Sequence, residues 1–112
     1  MDEKTIQSAM QIILHAGNAR LKCKEALDCI ANINFESAQE KMKEAQIEIT
    51  EAHKYQTDAI QDETRGEKKE YSLLFAHAQD TLMTIYSEIN IAKQMIQVFK
   101  VYEARIQKLE QR

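Results

Sequence analysis

The chain has no proline and only two glycines, Gly17 and Gly66, among its 112 residues. These are the residues that stop helices and open tight turns, so their scarcity excludes folds built on many short connections. A chain rich in Ala, Glu, Gln, Lys, Ile and Leu, with so few breakers, is expected to be nearly all helix. Cysteine is equally sparse. Cys23 and Cys29 stand six residues apart, about 9 Å by helical rise, which is beyond disulfide reach. Their spacing fits no zinc motif either, and reduced, buried thiols are expected.

A long hydrophobic run is also missing. The longest stretch free of Lys, Arg, Asp and Glu, Thr5 to Ala19, contains Gln7, Ser8, Gln11 and Asn18. It falls short of the ~20 apolar residues that a membrane span requires, and it lacks the charged start and cleavage site of a signal peptide. The chain therefore reads as cytoplasmic, with no direct membrane insertion. No excess of one charge sign stands out: 15 Lys and Arg oppose 18 Asp and Glu, for a net charge of −3. With both signs interspersed and no basic, aromatic-bearing strip, a nucleic-acid partner is not expected. The length suits one domain, 1–112.

Three amphipathic segments emerge. The first runs from about Glu3 to Ala31, where Ile6, Met10, Ile13, Gly17, Leu21, Leu27 and Ile30 form the expected core stripe. Gly17 within it costs roughly 1 kcal/mol against Ala, which is explained if it allows close helix approach. Asn32-Ile33-Asn34 breaks the pattern, with Asn34 as the N-cap of the next helix. The second segment repeats cleanly at Phe35, Ala38, Met42, Ala45, Ile49, Ala52, Gln56 and Ala59. Alternating spacings of three and four make this a bundle seam. It fades into a charged connection, Asp62 to Lys69, hinged at Gly66 and expected to be mobile.

The third segment, from about Glu70 to the C-terminus, differs in kind. One stripe is Phe75, Ala78, Leu82, Ile85, Ile89, Ala92, Ile96 and Phe99; opposite it lie Asp80, Met83, Ser87, Ile91, Gln94, Val98 and Val101. A three-helix subunit has one core and buries one stripe. The other needs a second partner, and self-association around a symmetry axis is the economical answer. Asp80, Ser87 and Gln94 recur every seven residues, as polar layers do inside coiled assemblies. Carboxylates stacked at an axis repel unless they are protonated or hold a cation.

The chemistry centres on His77-Ala78-Gln79-Asp80. In a helix, His77 and Asp80 lie about 60° apart around the axis and one turn apart along it. An imidazole is a nucleophile near neutral pH, and a carboxylate on an apolar strip needs a partner. His53 and Gln56, one turn apart in the second segment, either face the third helix near His77 or make interhelical hydrogen bonds. His15 is expected to be structural or exposed. The charges at Lys22, Lys24, Glu25, Glu40, Lys41, Lys43 and Glu44 read as solvated helix faces.

Three motifs carry a resemblance: Ala16-Gly17-Asn18-Ala19-Arg20, Glu51-Ala52-His53-Lys54-Tyr55-Gln56-Thr57, and His77-Ala78-Gln79-Asp80-Thr81-Leu82-Met83-Thr84. In this order they resemble the A component (EIIA) of the lactose/cellobiose family of the bacterial phosphoenolpyruvate-dependent sugar phosphotransferase system. The departure is Thr81, where the family usually carries a second histidine. The resemblance implies an all-α, antiparallel three-helix subunit in a homotrimer of nine helices. It implies that His77 accepts a phosphoryl group from the phosphocarrier protein HPr and passes it to a cysteine of the EIIB component, for β-disaccharide uptake. It further implies that Asp80 from three subunits shares one divalent cation, usually Mg2+. Gln79, His53 and Gln56 are candidates for support at the site on their positions in the sequence, not on the resemblance. The rival readings are a histidine phosphotransfer module of two-component signalling and a purely structural coiled assembly. The former usually has a lysine and a glycine where this chain has Asp80 and Thr81.

Overall fold

The computed structural model describes residues 3–66 and 71–111. It contains three helices, α1 (Glu3–Ala31), α2 (Phe35–Thr64) and α3 (Leu73–Glu110). The boundaries follow local chemistry. The α1–α2 turn passes through Ile33 at φ 60°, and Asn34 then caps α2 by accepting the Ser37 N–H through its side chain at 3.1 Å. Gly66, at φ 88°, follows the end of α2 in the left-handed conformation that glycine adopts without strain. Glu67 to Glu70 lie outside the described residues, and with them the rest of the charged connection and the expected start of helix three at Glu70. The cap of α3 is Ser72, whose hydroxyl accepts the Phe75 N–H at 3.1 Å.

Cross-helix pairs fix the topology. Lys4 meets Asp62 and Lys22 meets Glu44, so α1 and α2 are antiparallel. Lys93 donates to Gln46 and the His53 ring meets Tyr86, so α2 and α3 are antiparallel too. Consequently α1 and α3 run in the same direction, joined across their exposed edge by Arg20 and Glu88. Charges read as merely solvated partly stitch the hairpin: Lys22 and Lys41 both lie within ion-pair distance of Glu25 and Glu44.

In α2 the buried residues are Ala38, Met42, Ala45, Ile49 and Ala52, all on the expected seam, and also Asp62. In α3 they are Ala78, Leu82, Ile85, Ile89, Ala92 and Ile96, again the expected stripe. Ile12, Ile49, Leu82, Ile85 and Ile89 are the largest fully enclosed side chains, each worth about 1.5–3 kcal/mol of burial. Phe99 departs from expectation, being 43% exposed. At 38 residues against 29 for α1, α3 outruns the bundle, and its last turns pass beyond the α1–α2 turn.

The larger correction is in α1. Its buried face is Thr5, Ala9, Ile12, Ala16, Ala19, Cys23 and Ala26, whereas Met10, Leu14 and Leu21 are more than half exposed. Ile6, Ile13, Leu27 and Ile30 are only partly buried. The physical reason is that α1 packs against both other helices, so its inner face must be narrow. Alanine lets two backbones approach where leucine would hold them apart. Gly17 does not serve that approach: it is exposed, and a Cβ there would meet nothing within 4 Å. Cys23 is buried and Cys29 half-buried, both unpaired, and burial pushes the Cys23 thiol up from its ordinary pKa.

Candidate functional site

His77 lies in the second turn of α3, fixed there by the Ser72 cap and by its buried neighbour Ala78. Its own side chain is exposed and makes no hydrogen bond or ion pair among the described residues. The adjacent Ala78 is fully enclosed in the core. The ring is open because it projects from the helix about 100° away from that core position. An imidazole without a partner keeps a nitrogen lone pair available for attack on phosphorus.

Asp80 is also exposed, one turn on, and likewise has no side-chain partner among the described residues. It begins a strip left exposed among the described residues. Met83 is 52% exposed, Ile91 58%, Val98 49% and Val101 59%, and Ser87 and Gln94 between them are exposed too. Among the described residues, no cluster of three or more His, Cys, Asp or Glu could hold a metal ion. A single chain therefore offers one carboxylate, too few oxygens for a hard divalent cation. The donor type fits such an ion; the donor number fits only where copies of Asp80 converge.

Gln79, two residues from His77, projects about 200° around the helix and so faces the other way. It lines a cavity of about 520 Å³ with Tyr55, Asp58, Asp62, Tyr71 and Phe75. His53 is edge-on to Tyr86 with ring centroids 5.1 Å apart. Tyr86 is nine residues beyond His77, about 13.5 Å along α3 and on its opposite side. Gln56 is half-buried, without a side-chain hydrogen bond among the described residues. Within one chain, then, the fold brings His77 and Asp80 to one exposed arc and places Gln79, His53 and Gln56 elsewhere. His15 is structural: its Nδ1 lies 2.7 Å from Glu48 Oε2 and its ring stacks on Tyr55.

What does flank His77 is an edge of α1. The Arg20 guanidinium donates from Nε and Nη2 to the two carboxylate oxygens of Glu88, each at 2.9 Å. That bonding raises the Arg20 pKa above its ordinary value, and the pair marks the register of two helices running the same way. Eleven residues back along α3, about three turns and on nearly the same side, stands His77; eleven back along α1 is Ala9. Met10 and Ile13 therefore sit beside the imidazole's level. Periodicity within α1 cannot reveal this, because it depends on the register between helices.

Among the described residues, no helix is long and apolar enough to cross a membrane. The family described as PTS system, lactose/cellobiose specific IIA subunit, matches residues 7–100. The lichenan-specific phosphotransferase enzyme IIA component of Bacillus subtilis (strain 168) is 41% identical over 106 residues, covering 94% of this chain and 96% of that protein. The crystal structure of the PTS cellobiose-specific enzyme IIA from Bacillus anthracis has a TM-score of 0.87 at 41% identity, covering 93% of this chain and 95% of that one. A solution structure of a IIA(chitobiose)–HPr complex has a TM-score of 0.80 at 25% identity, covering 91% of this chain and 99% of that one.

Proposed function

This chain belongs to the lactose/cellobiose-specific IIA family of the sugar phosphotransferase system, and from that premise we propose that His77 is the residue that carries the phosphoryl group. Membership makes the protein a phosphotransferase component with a phosphocarrier role in sugar uptake. The finer assignment rests on one observation: His77, inside the family motif, is an exposed and unpartnered imidazole on a rigid helix. Phospho-HPr is the donor, a reading supported by the HPr complex of a relative with this fold. A cysteine of the EIIB component is the acceptor, and the relay operates in the cytoplasm for uptake of a β-disaccharide.

In the first transfer, a His77 ring nitrogen forms the new N–P bond as the donor histidine's N–P bond breaks. One proton passes, net, from His77 to the donor imidazole. In the second, the N–P bond breaks as the EIIB thiolate forms an S–P bond, and His77 regains a proton. Neither step needs further covalent chemistry, so positioning and charge carry the catalysis. Phosphorylated His77 gains roughly two negative charges one turn from the Asp80 carboxylate. Three chains join through the exposed strip of α3 into a nine-helix trimer, which brings the three Asp80 side chains to its axis. A divalent cation such as Mg2+, when bound there, supplies positive charge that offsets both the carboxylate repulsion and that of the phosphoryl group. Two-component signalling is not favoured, since the family match and the two solved relatives described above belong to the sugar system.

The test is transfer of radiolabel from phospho-HPr. The unmodified chain takes up one phosphoryl group; His77→Ala takes up none, while its helical circular dichroism is unchanged. Label retained by that variant would refute the assignment.

A further inference from the structure

The Thr81 hydroxyl has no task within its own chain. A helical threonine commonly donates to the carbonyl one turn back, as Thr64 does to Ile60 at 3.0 Å. Thr81 makes no such bond, nor any other side-chain hydrogen bond among the described residues, although it is half-buried. The register marked by Arg20 and Glu88 puts it at the level of Ile13, an apolar residue that cannot accept its proton. Leu73, Leu74, Asp80 and Thr81 are the residues three and four positions from His77, and so its neighbours on the helix surface. Of these four side chains, only Thr81 offers a hydrogen-bond donor. We propose that the Thr81 hydroxyl is a ligand of the transferred phosphoryl group, donating a hydrogen bond to one of its oxygens while His77 holds it.

The inference rests on His77 being the phosphoacceptor, and helix geometry supplies the rest. Side chains tilt toward the N-terminus of their helix, so Thr81 leans over the turn that carries His77. The two Cβ atoms stand about 5–6 Å apart, and the hydroxyl and the imidazole are not bonded to each other. A phosphoryl group on the ring brings oxygens into the space between them. Asp80, about 60° to one side of His77, is an acceptor and cannot bond such an oxygen; Thr81, about 40° to the other, can. The cations of α1 at either end are engaged elsewhere, Lys4 with Asp62 and Arg20 with Glu88. In the transition state charge spreads over three phosphoryl oxygens, where a charge-assisted O–H bond is stronger than a neutral one. A hydroxyl suits a carrier that must both receive and release, because it orients the group without adding a positive charge to retain it. No bond to Thr81 is made or broken, and its hydroxyl keeps its proton through both transfers.

The experiment uses Thr81→Val, which keeps the branched shape without the hydroxyl, and Thr81→Ser, which keeps the hydroxyl, each in the full chain. Phosphoryl groups are equilibrated between HPr and each protein, KM for phospho-HPr is measured, and the phosphorus NMR signal of the phosphorylated chain is recorded. In Thr81→Val the equilibrium is expected to move about tenfold toward phospho-HPr, and the phosphorus signal to shift, with KM and melting temperature unchanged. Thr81→Ser is expected to match the unmodified chain in both. An unaltered equilibrium in Thr81→Val overturns the inference, and a raised KM beside it would place Thr81 in partner docking instead. A Thr81→Ser variant that behaves as Thr81→Val overturns it too. If the unmodified chain takes no phosphoryl group from phospho-HPr, the phosphoacceptor reading itself falls, and this inference with it.

Discussion

Ile89 and Ile91 stand two residues apart in α3, yet the first is fully buried and the second 58% exposed. The same contrast runs along the helix. Leu82, Ile85 and Ile96 are enclosed by α1 and α2, while Met83, Val98 and Val101 on the far side are about half exposed. The outer face interleaves Asp80, Ser87 and Gln94 with its apolar residues, yet Met83, Ile91, Val98 and Val101 would leave water if they were able. What separates them is that one faces the hairpin. Hydrophobicity makes a face sticky, but topology decides which sticky face the chain itself satisfies. The face left over is evidence about assembly.

One substitution placed on both faces breaks the comparison most sharply. Ile89→Asp buries an unpaired carboxylate at a cost of several kcal/mol, comparable with the roughly 5–15 kcal/mol that holds a domain together. Loss of the far-ultraviolet helical signal is the expected result. Ile91→Asp leaves that signal intact but, in the proposed trimer, sets three carboxylates against one another. Its mass by light scattering is expected to fall from three chains to a single chain of 13.0 kDa. A full-sized assembly in that variant would show that the outer face of α3 is not where the copies meet.

The next effect in size concerns Asp80, the acidic member of the same face. If copies of Asp80 hold a divalent cation, adding it at about a hundred times its Kd stabilises the assembly by about 2.7 kcal/mol. Thermal melts with and without a chelator read this directly. The unmodified protein should melt lower in chelator; Asp80→Asn should melt at one temperature in both. His77 should remain chemically competent in that variant, since Asp80 lies beside the ring without bonding to it. Chelator sensitivity that survives in Asp80→Asn would move the cation elsewhere.

How far these features were legible in the chain depends on the neighbours each helix has. The seam of α2 and the inner stripe of α3 were readable because spacings of three and four single out one face, and the caps at Asn34 and the turn at Ile33 follow from local chemistry. The stripe of α1 was misread because size was taken for burial. In a helix squeezed between two others the small residues Ala9, Ala16 and Ala19 go inside, and Met10, Leu14 and Leu21 are left out. The shared exposed arc of His77 and Asp80 was legible from their spacing, whereas their roles rest on the resemblance. The positions of Gln79, His53 and Gln56 were not, because a residue adjacent in a motif can point away around the helix. Nor was the α1 edge beside His77, which depends on the parallel register of two helices far apart in sequence.

The smallest expected effect tests that register. Arg20 sits in a motif shared with the family, which invites a catalytic reading, but its geometry is that of an edge clamp. The guanidinium is bonded to Glu88, and the two side chains are 51% and 44% exposed. Exposed pairs of this kind contribute at most about 1 kcal/mol, even with two bonds. Arg20→Met keeps much of the aliphatic stem and removes the charge-assisted bonds, leaving Glu88 free to be solvated, so little stability should be lost. Because α1 and α3 are still locked by their buried faces, the register should survive, and kcat for transfer from phospho-HPr should stay within about twofold of the unmodified value. A loss of kcat far beyond that, with an unchanged melting temperature, would mean that Arg20 leaves Glu88 to meet the phosphoryl group, and the edge of α1 would then take part in the chemistry.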